Sequence, residues 1–438
     1  MGAKFQNDSQ RKDLRPIINK VDNGGLLDYV AGWFINAANY IQSTNIKVGF
    51  VSTNSICQGE QVAPLWNYLF SKGIKIHFAY STFPWESEAR GKAAVHVIIV
   101  GFADFDISEK RLFIRESNSN FQEIKVKNIS PYLVEGSDFT VGNRSKPICN
   151  VPEIATGNKP IDGGNYIFSE EEKNDFLKKE PNASKYILPF LGADEFINNK
   201  RRWILFLKDI SPNELKSMPE IIKRVEAVKK FRLHSSSLPT IKIAAIPTRF
   251  HTENMPTSEF LVIPQVSSER RQYIPIGFMK PGVVCSDKLR ILPNATLFHF
   301  GILVSKMHMG WMRLTTGRLK SDYQYSVLTV YNNFPWPENP SEKGIKAVEV
   351  AAQKVLDARA AFPTSSLADL YDPLTMPPAL VKAHQDLDKA VDLCYRPQPF
   401  ASEAKRMEYL FQLYEQYTAG LFVKSKPTRK GVLRTPQP

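Results

Sequence analysis

Cysteine is scarce in this chain: four residues among 438, at Cys57, Cys149, Cys285 and Cys394, none in a CxxC pair. That spacing offers neither a zinc site nor a disulfide framework, and it fits a reducing cytoplasm. Long hydrophobic runs are missing too. No apolar stretch reaches the roughly 18 residues that span a bilayer. The opening MGAKFQNDSQRKDL lacks the apolar centre of a secretion signal, so no membrane partner is expected. Acidic residues are the minority charge, 44 Asp and Glu against 57 Lys and Arg, for a net charge of +13. A chain of that sign is drawn to polyanions, nucleic acid foremost, although an inert basic surface has the same composition. The seven histidines are scattered. His77 and His96 fall inside strand patterns, where a core histidine is the commoner role, and no metal is assigned.

What is present is ordinary globular material, 43% hydrophobic and 23% charged, long enough for about three units of roughly 150 residues. Leu27, Val30, Phe34, Ala37, Ala38 and Ile41 predict a helix over 26–42, which feeds a short buried strand, KVGFVST, at 47–53. A second helix, Gln61 to Ser71, leads through Gly73 into IKIHFAY. After a polar, aromatic loop the run AVHVIIVGF follows, and the last two strands are expected to pair as an antiparallel hairpin beside an otherwise parallel α/β sheet. Three strands would leave the apolar strand 47–53 at an exposed edge. The expectation is therefore that part of the sheet is missing before Met1. The isolated chain should then aggregate, or lean on another chain, through residues 26–56.

Residues 111–185, with GNKPIDGGN at 157–165, read as a loop-rich connecting segment. From 186 to 337, RWILFL, TIKIAAI and EFLVIP read as strands around one helix, Ser211 to Phe231, in a mixed α+β unit. Beyond NNFPWPENP, three helical stretches (342–361, 377–395 and 402–419) make a C-terminal helical bundle over 338–420. Val348, Ala351, Val355 and Ala358, then Leu380, Ala383, Leu387 and Ala390, form its apolar stripes. A basic flexible tail, 421–438, closes the chain. The fold class expected is α/β plus α+β.

Phe83 and Trp85 stand on the loop between two buried strands. Ligands of open α/β sheets sit at strand ends, and enzymes that modify a base extrude it against an aromatic or apolar wall. The two rings either stack on such a base or plug the loop onto the sheet.

FVSTNSICQGEQV at 50–62 and TFPWESEARGKAAVHV at 82–97 resemble the later methyltransferase motifs of MmeI-like (type IIL) restriction-modification enzymes. GNKPIDGGN, YILPFLGADEFINNKRRW, VSSERRQYIPIGF, GRLKSDYQYS and YNNFPWP resemble the same family in the same order, over nearly the whole chain. The family joins a nuclease, a γ-type adenine-N6 methyltransferase using S-adenosylmethionine, and a target-recognition domain. The resemblance implies that residues 1–110 are the C-terminal part of a Rossmann-like catalytic domain and that 186–337 are the DNA-specificity domain. It also implies that the helical segment closes over double-stranded DNA.

In such enzymes an Asn-Pro-Pro-aromatic motif lies just upstream of a stretch like Gly2-Ala3-Lys4-Phe5-Gln6. This sequence contains no such string and no FxGxG-type cofactor loop; Asn333-Phe334-Pro335-Trp336 lies in the wrong place and lacks the second proline. The chain alone is thus expected to bind no S-adenosylmethionine and to transfer no methyl group. Recognition is what remains. Arg and Lys can grip guanine, Asn and Gln adenine, while Glu and Asp accept from cytosine. The resemblance favours DNA proximity for Ser267, Glu269, Arg270, Arg271 and Tyr273, and for Arg318, Lys320, Asp322 and Tyr323, two groups that read as loops. Without it each would read as a solvated salt-bridged turn. Lys200, Arg201 and Arg202, beside Trp203, suit phosphate contact or a plain strand start. Two readings follow: a fragment of a bifunctional enzyme, or a DNA-specificity subunit that complements a separate catalytic chain.

Overall fold

A computed structural model describes residues 2–85, 95–116, 120–319 and 321–419. The chain starts with a helix the periodicity did not announce, α1 (Asp8–Ile18), capped by Asn7 and Gln10 in a reciprocal pair of hydrogen bonds. Then come α2 (Ala31–Tyr40), β1 (Lys47–Thr53), α3 (Val62–Ser71), β2 (Lys75–Pro84), β3 (His96–Ala103), β4 (Lys110–Arg115) and β5 (Phe121–Val126). The expected hairpin forms: β2 and β3 pair antiparallel, and β3 also pairs antiparallel with β1. The strand order is β1-β3-β2-β4-β5, with β2 and β4 parallel. The sheet therefore continues past residue 110 into the segment expected to be loops, and β1 sits at its edge, as its sequence predicted. Phe34 of α2 lies 5.0 Å from Phe50 of β1, fixing the helix on that face. On the opposite face Gly49 is register-paired with Gly101, and Phe78 lies over the space they leave. A Cβ on Gly101 would fall 2.0 Å from the Phe78 ring.

The middle of the chain contains β6 (Ala155–Thr156), β7 (Ile167–Phe168), α4 (Glu170–Lys179), β8 (Ile187–Leu191), α5 (Ala193–Asn198), β9 (Trp203–Leu205), α6 (Pro212–Lys216), α7 (Pro219–Leu233) and α8 (Leu238–Lys242). It continues with β10 (Phe260–Pro264), β11 (Val266–Ser267), β12 (Gly277–Met279), β13 (Val284–Cys285), β14 (Leu289–Pro293), α9 (Leu297–Leu303), α10 (Lys306–Thr315), β15 (Gly317–Leu319) and β16 (Asp322–Gln324). These strands form three small sheets. The single helix expected from Ser211 to Phe231 is two, since Pro219 cannot donate to a preceding carbonyl and starts a new helix. TIKIAAI, expected as a strand, is helical: α8 and a short 3-10 turn at Ile243–Ala245, entered through Pro239 at the first turn. GRLKSDYQYS is not a loop but the β15–β16 hairpin, with β11 as its third strand.

The C-terminal part is helical as expected: α11 (Glu342–Ala360), α12 (Leu367–Leu370), α13 (Pro378–Tyr395) and α14 (Glu403–Ala419). One continuous core runs from Phe34 and Ile98 of the first sheet, through Tyr273, Trp311 and Phe334, to Val348, Leu387 and Phe411 of the helices. A separate core gathers Tyr166, Phe168, Ile204, Ile221 and Phe250 with Val284 of β13. Among the described residues no helix is long and apolar enough to cross a membrane.

Candidate nucleic-acid interface

β1 ends at Thr53 and turns through short 3-10 segments into α3, and this turn faces the β15–β16 hairpin across a cleft of about 930 Å³. Thr53, Asn54, Gln58, His96, Arg290 and Arg318 line it. The two sides touch through backbone: Gly59 sits at φ +71, and a Cβ there would lie 2.9 Å from Cα and N of Gly317. That approach requires glycine at 59 but not at 317, where a Cβ would meet nothing within 4 Å. We predict that Gly59→Ala, strained by its φ and pushing the hairpin away, lowers DNA affinity at least tenfold. The ratio of binding constants for wild type and variant on the same duplex measures it.

Arg318 is the node of the cleft. Its Nη1 donates to Glu269 Oε2 at 2.9 Å and to the Ser321 carbonyl at 2.8 Å; Nε points at Gln58 Oε1 at 3.3 Å, and Nη2 at the Tyr323 hydroxyl at 3.4 Å. The guanidinium also lies 4.4 Å from the centre of the Tyr323 ring. His96 Nε2 stands 3.4 Å from the same Glu269 oxygen. Burial, then the charge of Arg318, holds His96 below its usual pKa, with Glu269 pulling the other way. Asn54 donates to Gln58 Oε1 at 3.0 Å, so that amide oxygen is shared between the first sheet's turn and the hairpin arginine. Arg290 of β14 also reaches the cleft. Its Nη1 donates to the Asp287 carbonyl, but its buried Nε has no hydrogen-bond partner among the described residues. A desolvated arginine with an unused donor can donate to an anionic or carbonyl oxygen at little further cost.

The structure brings together Glu269, Arg318, Asp322 and Tyr323, with the Glu269 amide 3.4 Å from Asp322 Oδ1. Lys320 lies outside the described residues. Arg270 is exposed and 3.8 Å from Asp372; Arg271 is half-buried, its guanidinium held below its usual pKa by burial. Three of the sequence-selected residues are buried, Tyr323 beneath the Arg318 guanidinium among them. Ser267 is buried in β11, and Tyr273 packs on His384, centroids 4.0 Å apart, donating its hydroxyl to Asp388 at 2.8 Å. Lys200, Arg201 and Arg202 stand apart from the cleft. Lys200 pairs with Asp194 and Arg202 with Glu195, both at 2.8 Å, and Arg201 is exposed. Phe83 lies at the end of β2 rather than on the loop, half-buried, in a T-shaped contact with Phe121 of β5. Trp85 is 48% exposed, and its amide donates to the carbonyl of Val95, itself a wall of the cleft. Gln58, His96 and Arg290 escaped selection from the sequence. Gln58 did lie in the FVSTNSICQGEQV motif, and Arg290 is a lone charge in an apolar strand, LRILP.

Three models of one family match in chain order: the MmeI DNA-methyltransferase domain at residues 1–114, the MmeI target recognition domain at 135–338, and the MmeI C-terminal domain at 340–422. DNA methyltransferase A of Bacillus subtilis (strain 168) is 41% identical over 419 residues, covering 95% of this chain and 47% of that protein. The structure of the type IIL restriction-modification enzyme MmeI in complex with DNA superposes with a TM-score of 0.87 at 46% identity, over 96% of this chain and 56% of that one. The chain thus spans about half the length of the relatives it matches. With methyltransferase, target-recognition and C-terminal sequence matched in order, and the fold superposing on that of the type IIL enzyme, the chain belongs to the MmeI family.

Proposed function

We propose that this chain recognises a specific double-stranded DNA sequence as part of an adenine-N6 methyltransferase of a restriction-modification system, and that it transfers no methyl group alone. The observation that carries the reading is the Arg318 cleft. It holds forked donors, a carboxylate and an amide, the groups that read base edges, between a methyltransferase-type sheet and a recognition hairpin. The likeness to an enzyme solved with DNA supports the same partner. In the complete enzyme S-adenosylmethionine would supply the methyl group. The residues of this cleft do not fit that cofactor: its one positive-φ glycine turn, at Gly59, is backed by the Gly317 backbone rather than opening onto space for a ligand. What this chain's residues supply is orientation: Trp85 beside the cleft wall is placed to meet an extruded base, with Glu269 and Gln58 to address base edges.

The test is selection from a random duplex library at two salt concentrations, with labelled S-adenosylmethionine in the same tubes. Enrichment of one short motif without label transfer is expected. Retention of all sequences alike, vanishing as salt rises, would reduce the chain to a nonspecific polycation, and label in DNA would overturn the division of labour.

A further inference from the structure

Between β11 and β12 the backbone is irregular, over residues 268–276, and it carries Glu269 at its cleft end. Glu269 and Arg270 are the central residues of a turn closed by the Arg271 amide on the Ser268 carbonyl at 3.1 Å. Beyond that turn the segment leaves the cleft, and the C-terminal helices hold it from several sides. Arg313 Nη2 donates to the Gln272 carbonyl at 2.7 Å, and its Nη1 is fixed by both carboxylate oxygens of Glu403 on α14, at 3.0 and 3.2 Å. Tyr273 stacks on His384 and donates to Oδ2 of Asp388, both on α13, while the Lys306 amide donates to Oδ1 at 2.7 Å. Arg359 of α11 donates to the Ile276 carbonyl at 2.6 Å and, through Nε, to the Tyr371 hydroxyl at 2.7 Å, which in turn meets His384 at 2.8 Å. Tyr273, His384 and Asp388 are all buried, so none of them reaches a duplex.

We infer that Tyr273 is a positioning residue for sequence recognition: its seat on α13 holds Glu269 opposite Arg318, so that the C-terminal helices help fix which base is accepted there. The role of Glu269 is taken from the proposed function, on which this assignment rests. Irregular backbone has no ladder to define its place, so it is only as precise as its supports. The upstream end of the turn is tied to the recognition hairpin, with Ser267 opposite Tyr323. Its downstream end is tied to the helices, and only Gln272 stands between Tyr273 and the Arg271 amide that closes the turn. Local bonding adds little, since the Glu269 amide is 3.4 Å from Asp322 Oδ1. Losing the Tyr273 hydroxyl frees that end, and a displacement of about 1 Å is enough to spoil a hydrogen-bonding geometry. Part of the specificity then resides in side chains that touch no base.

The experiment repeats the duplex selection with variants of the full chain. Tyr273→Phe keeps the ring on His384 and removes only the hydroxyl; Asp388→Ala removes its acceptor. Both should lose discrimination about fivefold at one and the same position of the motif, a fraction of what a well-made base contact supplies, and keep the rest. In a Glu269→Gln background, Tyr273→Phe should change nothing further at that position. Val348→Ala, which empties space against Gly301 of α9, separates positioning from stability. It should lower the urea midpoint at least as far as Tyr273→Phe does and leave the motif unchanged. A parent-like motif in either Tyr273→Phe or Asp388→Ala, weakening of every position alike, a further loss in the Glu269→Gln background, or the same change in Val348→Ala would each overturn the positioning role and leave recognition standing. A parent chain that enriches no motif would remove the recognition reading itself, and the positioning role with it.

Discussion

Replacing Arg318 by alanine is expected to lower affinity for the selected duplex 10- to 100-fold, about 1–3 kcal/mol, the usual worth of one well-placed arginine in a groove. Two effects add. The forked donors that address Gln58, Glu269 and Tyr323 are lost, and Glu269 is left in the cleft without its guanidinium partner. The cleft then presents an uncompensated carboxylate to phosphates and to base acceptors. Arg318→Lys should recover little, because an ammonium is a point charge and cannot meet three acceptors held in a fork. Glu269→Gln in the alanine background should recover part of the loss by removing the stranded charge, and a double-mutant cycle by fluorescence anisotropy reads that coupling directly. On the proposed reading Glu269 accepts from cytosine N4, so Glu269→Gln alone should change the enriched motif at one position rather than weaken all sequences equally. Wild-type affinity in Arg318→Ala would remove the node from the interface.

Legibility in the sequence followed the physics of each segment. The helices α11, α13 and α14 came out within a residue or two because each presents one apolar stripe and is cut by Ser, Pro or Glu at its start. α9 and α10 did not. Phe300, Gly301, Ile302 and Leu303, then Met307 to Met312, are buried all round, so no polar face marks a period. TIKIAAI deceived in the other direction, its β-branched residues suiting a strand while the leading Leu-Pro set a helical first turn. The site shows the same split. Glu269, Arg318 and Tyr323 were found because charged and aromatic residues alternate there and a family motif spans them. Tyr273 looked equivalent in SSERRQY, yet it turns inward, since its ring completes the stack on His384 and its hydroxyl satisfies Asp388. Which way a tyrosine faces depends on a helix more than a hundred residues later, and no local pattern carries that.

That shared core makes acid lability the second large expectation. His308 is fully buried, its Nε2 2.9 Å from the Tyr325 hydroxyl and its Nδ1 without a partner, and burial pushes its pKa down to about 3. His384 meets the Tyr371 hydroxyl at 2.8 Å and is stacked on Tyr273; burial, then Arg359 and Lys306, holds it well below the ordinary range. Both are neutral in the fold and titrate near 6.5 when unfolded. The unfolded chain therefore binds more protons below that value, so the stability tied to neutrality is complete above about pH 6.5 and drains as pH falls toward the folded values. Each histidine contributes a slope of about 1.4 kcal/mol per pH unit, so the pair approaches about 2.7. Between pH 6.5 and 5, where the slope is still building, that is on the order of 3 kcal/mol, a sizeable part of what holds a domain together. Asp388 acts oppositely, because burial raises its carboxyl pKa and protonation favours the fold, but its hydrogen bonds from Tyr273 and the Lys306 amide limit that shift. Carboxylates held low by exposed partners, such as Glu214 beside Lys185, begin to lose stabilisation only as pH falls into the ordinary carboxylate range near 4.5, which leaves pH 5 to 6.5 to the histidines. Urea midpoints at pH 7.5, 6.5, 5.8 and 5.0 should be flat over the first interval and then fall. His308→Leu should reduce the slope without abolishing it, since His384 and the other histidines held low by burial, His77, His96 and His299, still contribute. A midpoint unchanged down to pH 5 would mean that these imidazoles reach water in the native state.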